Sequence, residues 1–251
     1  MDPKPGLEAG HTADRDEIDR FAAQSASWWD PAGSFAPLHR LNPLRLDYIR
    51  AELLAHFGRD ERSLTPFEGL SLLDIGCGGG LVAEPMARLG FKVTAIDAAA
   101  EAIAVARAHA EESGLAIDYR DATAEALAEL GRRFDAVLAL EIVEHVANRD
   151  AFFAALAALV RPGGALIGAT LNRTLRSFAL AIVGAEYVLN WLPRGTHDWR
   201  RFVRPSEFVL GLRRNGFATN RLAGVSYNAL TGGWSLSGDL STNYMLTAVR
   251  R

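Results

Sequence analysis

Leu72-Leu73-Asp74-Ile75-Gly76-Cys77-Gly78-Gly79-Gly80 decides the fold: an apolar run breaks into glycines and hands over to a helical pattern across residues 81–89. Glycine takes positive φ angles and carries no Cβ, so the backbone can turn sharply there and bring its N–H groups against a ligand, which makes Gly76 and Gly78 candidate cofactor-binding residues. A nucleotide-like cofactor is the expected occupant.

Outward from this loop, strand-like and helix-like stretches alternate. Lys92-Val93-Thr94-Ala95-Ile96-Asp97 reads as a second strand, followed by an alanine-rich helix over 101–113. A third strand over 116–119 and a helix over 125–130 lead to a fourth strand at 134–140, ending in Glu141. The helix at 149–160 stops at Arg161-Pro162-Gly163-Gly164, before a fifth strand at 165–170. A helix at 205–215 and two late strands at 219–225 and 243–249 complete the pattern. This alternation predicts an α/β, Rossmann-like, mostly parallel sheet covered by helices on both faces. Upstream, residues 1–16 read as a tail and 17–60 as a helical extension. The extension holds a short helix ending at Trp28 and Trp29, the turn Asp30-Pro31-Ala32-Gly33, and a helix over 43–57 with Pro43 at its start. The paired tryptophans read as packing.

With 251 residues and 49% hydrophobic content the chain can bury a full core. A formal charge of −3 with interspersed signs gives no general pull toward nucleic acid or an anionic surface. Cys77 is the single cysteine, so no internal disulfide forms, and it reads as a small loop filler. The polar first residues lack the pattern of a signal peptide, which points to the cytoplasm.

Two acids narrow the cofactor. Asp97 ends the second strand, at the lip where open α/β sheets bind ligands, and a carboxylate there can accept both hydroxyl protons of a ribose. The alternative is that Asp97 caps the next helix. Gly78-Gly79-Gly80-Leu81-Val82-Ala83 also fits the dinucleotide pattern, but Asp74 sits two residues before the first glycine. A carboxylate there suits a ligand carrying an ammonium group and is awkward beside a pyrophosphate. S-adenosylmethionine is therefore favoured over NAD.

The loop, the strand ending in Asp97, and Leu159-Val160-Arg161-Pro162-Gly163-Gly164 resemble the motifs of class I S-adenosylmethionine-dependent methyltransferases across residues 69–170. Further motifs resemble the ubiquinone-biosynthesis O-methyltransferases, which act on polyprenylated hydroxyphenol and catechol intermediates. They are Leu41-Asn42-Pro43-Leu44-Arg45, Glu141-Ile142-Val143-Glu144-His145, Thr170-Leu171-Asn172-Arg173, Val183-Gly184-Ala185-Glu186-Tyr187, Gly195-Thr196-His197-Asp198 and Asn243-Tyr244-Met245-Leu246. The resemblance implies a seven-stranded sheet with its last strand antiparallel, a methyltransferase domain over 69–251, and cofactor contacts at Arg45, Gly76, Asp97 and Leu140. Arg45 could pair bidentately with the methionine carboxylate, and Leu140 could flank the adenosine.

A free phenol has a pKa of about 10, so methyl transfer to it needs help in removing the proton. Glu141, Glu144 and His145 stand at i, i+3 and i+4, and a helical turn would put them on one face as ligands for a divalent metal. The donor set suits Mg²⁺, Mn²⁺ or Zn²⁺, and the resemblance implies Mg²⁺. The bland alternative is a solvated acidic turn with His145 as the general base. His197 is a second candidate base, or a residue that stabilises its loop. Residues 173–204 read as an insertion whose apolar part, 178–192, falls short of the ~20 residues needed to span a bilayer. It reads either as a lid or as a helix lying on an anionic membrane surface, flanked by Arg173, Arg176, Arg194, Arg200, Arg201 and Arg204. Partner proteins would be other ubiquinone-biosynthesis enzymes. No nucleic-acid methyltransferase signature such as Asn-Pro-Pro-Tyr follows the fourth strand. Two rival readings are a methyltransferase for another small molecule and a non-catalytic scaffold that binds S-adenosylmethionine.

Overall fold

A computed structural model describes residues 25–178, 198–228 and 232–251, with the side chain of Ala26 excluded. The tail and most of the first expected helix lie outside these residues. Within them the helices α1 (Ala36–Phe57), α2 (Ala83–Arg88), α3 (Ala100–Glu112), α4 (Ala124–Glu129), α5 (Arg149–Leu159), α6 (Leu175–Ser177) and α7 (Pro205–Arg214) surround one sheet. Its strands are β1 (Ser71–Ile75), β2 (Lys92–Asp97), β3 (Asp118–Asp121), β4 (Phe134–Leu140), β5 (Val160–Leu171), β6 (Phe217–Asn228), β7 (Gly233–Ser237) and β8 (Asn243–Arg250), in the order β3-β2-β1-β4-β5-β8-β6-β7.

The first five strands run parallel, and β8 inserts antiparallel between β5 and β6. The antiparallel last strand is as expected, but the sheet has eight strands where seven were expected. The addition is β7, which pairs with β6 at the sheet edge. Its five residues, Gly-Trp-Ser-Leu-Ser, begin on glycine and bury nothing fully, so hydropathy alone does not mark them.

Two apolar layers cover the two faces. Leu72, Leu138, Leu140, Ile167 and Met245 point to the side held by α1, α2 and α3, whereas Leu73, Val137, Leu166, Leu246 and Phe208 point to the side of α5 and α7. Residues of a strand alternate between faces, so Asp74 and Asp97 share the first side with Leu72 and Leu140. Helix α1 anchors that side through Ile49 and Leu53, both fully buried and each contributing roughly 1.5–3 kcal/mol. A hydrogen bond of 2.9 Å between Tyr48 Oη and Thr247 Oγ1 adds to it.

Helix α1 starts at Ala36, about two turns earlier than the sequence suggests, leaving Pro43 in its interior and Pro37 in the first turn. Pro43 removes one backbone hydrogen bond. The turns before it are instead held from outside: Leu41 is buried, and Asn42 Nδ2 donates to Leu81 O at 2.9 Å. This longer helix carries Arg45 beneath the glycine loop.

Candidate active site

The sheet changes winding direction between β1 and β4: the chain builds outward from β1 to β3, then returns to add β4 on the other flank. Ligands of open α/β sheets bind at the carboxyl ends of the strands at such a point. The glycine loop stands there. Gly76, Gly78 and Gly80 have φ angles of 72°, 50° and 91°, and the N–H groups of Gly76 and Cys77 both donate to Ile96 O. Cys77 is buried, and burial pushes its thiol well above its usual range, which agrees with a filler role.

Asp74 is 3% exposed and its Oδ2 has no hydrogen-bond partner. Burial pushes its carboxyl up to about 7; nearby Arg45 tempers the rise and Asp97 adds to it. Asp97 accepts from Ala99 N at Oδ1 and from Gly78 N at Oδ2, each at 2.9 Å. Asp97 is not the N-cap of α3, which is Ala99; its carboxylate instead holds the turn before that helix and ties the glycine loop to β2. Burial also raises its pKa, despite these two backbone donors. Each oxygen retains acceptor capacity for a further donor.

Arg45, 6% exposed, donates from Nη2 to Glu141 Oε1 at 3.0 Å. Glu141 follows β4 and Leu140 with a φ of 52°, a left-handed conformation that costs a non-glycine residue of order 1–3 kcal/mol. That angle stops a helical turn at its first residue. The carboxylate of Glu141 turns to Arg45 and, at 3.5 Å, to Asn243 Nδ2. Arg45, Asp74, Gly76, Gly78, Asp97, Leu140 and Glu141 thus gather along one crevice.

The expected metal triad does not gather. Glu144 is 3% exposed, beside Thr170, His145 and Tyr244, and its Oε2 has no hydrogen-bond partner. Burial first, and Glu141 second, push Glu144 up to about 7, while His145 and the Thr170 hydroxyl temper the rise. With Glu141 committed to Arg45 and Glu144 tucked on the Thr170 side, among the described residues no group of three His, Cys, Asp or Glu side chains is arranged to hold a metal ion. The positive φ at Glu141 is the physical reason, because i, i+3 and i+4 share a face only in a helix. His197 lies outside the described residues, as do 179–197 of the expected lid. No described helix is long and apolar enough to cross a membrane.

One feature of the crevice was read only as packing. The segment from Ser25 to Phe35 lies over the glycine loop, with the Trp28 ring stacked on Phe35 at 3.7 Å. Trp29 Nε1 donates to Gly79 O at 3.0 Å, and its ring stacks on His109 of α3 at 3.4 Å. A Cβ at Gly79 would sit 2.5 Å from Trp28 Cβ and Cγ, and one at Gly78 would sit 2.3 Å from Trp28 Cζ2. The available signal was the coincidence of three successive glycines with two successive tryptophans.

A methyltransferase domain model matches residues 73–168. A ubiquinone biosynthesis O-methyltransferase from Parvibaculum lavamentivorans is 55% identical over 242 residues, covering 96% of this chain and 96% of that protein. One from Paramagnetospirillum magneticum is 54% identical over 239 residues, covering 95% and 96%. The chain belongs to the ubiquinone biosynthesis O-methyltransferase family. As a member of that family it is an S-adenosylmethionine-dependent methyltransferase. A magnesium protoporphyrin IX methyltransferase from Synechocystis, solved with S-adenosylhomocysteine bound, shares the fold with a TM-score of 0.64 at 21% identity, covering 94% of this chain and 97% of that one. In this O-methyltransferase family member, Asp97 at the end of β2 bonds the glycine loop through Gly78 N, and Asp74 lies buried one residue before β1 ends.

Proposed function

We propose that the enzyme transfers a methyl group from S-adenosylmethionine to the phenolic oxygen of a polyprenylated hydroxyphenol or catechol intermediate of ubiquinone synthesis. The observation that carries this reading is the pair of buried residues Asp74 and Arg45, with the half-buried Glu141 held on Arg45. An unpartnered buried carboxyl is costly, and an ammonium group is the ligand chemistry that repays it. When bound, S-adenosylmethionine supplies an electrophilic methyl group on a positively charged sulfur.

Asp74 would take the donor's ammonium group, and Arg45, with donors left beyond its bond to Glu141, its carboxylate. Asp97 would accept from the ribose through its remaining lone pairs, while Leu140 flanks the adenosine. On the acceptor side His145 would remove the phenolic proton, and the adjacent buried carboxylate of Glu144 would stabilise the resulting imidazolium. The new bond joins methyl carbon to phenolic oxygen, the carbon–sulfur bond breaks, and S-adenosylhomocysteine leaves. Because Glu141, Glu144 and His145 do not form one donor set, no step here runs through Mg²⁺.

The polyprenyl acceptor would arrive from lipid, and residues 173–204 are the segment proposed to meet an anionic surface. Arg173 pairs with Glu207 and Arg176 with Asp239, so part of the flanking positive charge is neutralised within the fold. Flotation with anionic liposomes tests this, and a chain that stays with the lipid-free fraction refutes it. Turnover with S-adenosylmethionine and a short-chain prenylated catechol, with and without EDTA, tests donor, acceptor and metal together. No methylated product refutes the acceptor; activity lost to EDTA and restored by Mg²⁺ would mean that Glu141 leaves Arg45 during the cycle.

A further inference from the structure

The strap from Ser25 to Phe35 does more than close the core. Trp28 is 8% exposed, and its Nε1 is a buried donor with no hydrogen-bond partner. The ring itself is well satisfied: Phe35 stacks parallel to it, within 7°. The backbone of Gly78 and Gly79 lies so close that only glycine fits at either position. What the indole has left to offer is its N–H. Leaving such a donor unpaired in the interior costs roughly 1–3 kcal/mol, whereas the neighbouring Trp29 has its own N–H satisfied by Gly79 O.

The position of this N–H is informative. Trp28 Cε2, the ring atom bonded to Nε1, lies 3.0 Å from where a Cβ of Gly78 would stand. Gly78 N in turn donates to Asp97 Oδ2. The unpaired donor therefore lies against Gly78, the loop residue whose N–H is tied to the Asp97 carboxylate. Two contacts hold the strap at this height: His39 Nε2 lies 2.8 Å from Trp28 O, and the Trp29 ring stacks on His109, whose Nδ1 meets Glu84 Oε1 at 2.6 Å.

We propose that Trp28 is a binding residue for the methyl donor, its indole N–H donating a hydrogen bond to an oxygen of bound S-adenosylmethionine. Gly78 and Gly79, which lack a Cβ, admit the indole against the loop. The N-terminal extension is then part of the cofactor site.

The test uses the native full-length chain with ¹⁵N-labelled tryptophan, whose five indole resonances are followed while S-adenosylhomocysteine is added. Trp28→Phe, which keeps a ring for Phe35 and removes the N–H, identifies the Trp28 resonance. The expected result is that this resonance moves downfield at saturation, and that Trp28→Phe binds S-adenosylhomocysteine about 2- to 10-fold more weakly, the worth of one neutral hydrogen bond. In turnover the KM for the donor rises while the KM for the acceptor holds. A Trp28 resonance unmoved at saturating ligand overturns the proposal, as does a Trp28→Phe variant that binds as tightly as the native chain. Should Trp28→Phe fail to fold, sequential assignment identifies the resonance, which then decides alone.

Discussion

Replacing Asp74 by Asn probes the centre of the crevice, because stability and donor binding should move in opposite directions. Burial raises the carboxyl of Asp74 from its ordinary 3.8 to about 7. The charged form is therefore the costly one. Its neutral form carries the full contribution to stability at low pH, and that contribution is lost as pH rises through about 7. The difference corresponds to about 4 kcal/mol at pH 8, at 1.36 kcal/mol for each pH unit. Asn cannot ionise, so Asp74→Asn should match the native chain at about pH 3, exceed its stability by about 2 kcal/mol at pH 5 and by up to about 4 kcal/mol at pH 8. Donor binding should run the other way. An ammonium group needs Asp74 ionised, so the native affinity for S-adenosylhomocysteine should rise about tenfold for each pH unit between pH ~5.5 and ~6.5. The ligand's own amino group loses its proton near pH ~8, which sets the upper limit of the window. The variant should show no such slope and should bind about 10- to 100-fold more weakly at pH ~7, as expected for a charge-assisted bond. Isothermal calorimetry at several pH values, in buffers of different ionisation enthalpy, measures both affinity and proton release. A native affinity that is flat across the window, or an Asn variant that binds equally well, refutes the reasoning.

Gly79→Ala places a Cβ 2.5 Å from Trp28 Cβ and Cγ, atoms too close to the backbone to swing away. It should cost about 1–3 kcal/mol in thermal denaturation, and adding Trp28→Ala should cost less than the sum of the two changes. Glu144, pushed up to about 7, makes stability fall as pH rises through that value; Glu144→Gln should flatten this part of the profile and lower kcat with little change in the donor KM. Denaturation at pH 5 and 8 and steady-state kinetics check the two halves. Arg45→Ala leaves Glu141 and Asp74 without their shared cation. Its stability should fall by about 3 kcal/mol, the scale for breaking a buried pair, with the donor KM rising more than the acceptor KM.

Sequence by itself determined the parallel core and pointed to a positively charged donor. These features live in short range: an apolar run ending in glycines, strands that alternate with helices, and an acid two residues before the first glycine. β4 falls at the residues expected, 134–140, because a run buried on both faces has sharp ends. The short edge strand β7 was not legible, since five half-exposed residues carry no strong period. The arrangement of Glu141, Glu144 and His145 was misread for a related reason. Their spacing presupposes a helix, and one left-handed backbone angle, held by the ion pair of Glu141 with Arg45 from a distant helix, undoes it. The strap was invisible for the opposite cause. Trp28 and Gly79 are far apart in the chain, and only tertiary folding brings an indole against a backbone that lacks side chains. Local pattern specifies elements and their chemistry, whereas contacts between distant elements decide which polar groups end up paired and which are left for a ligand.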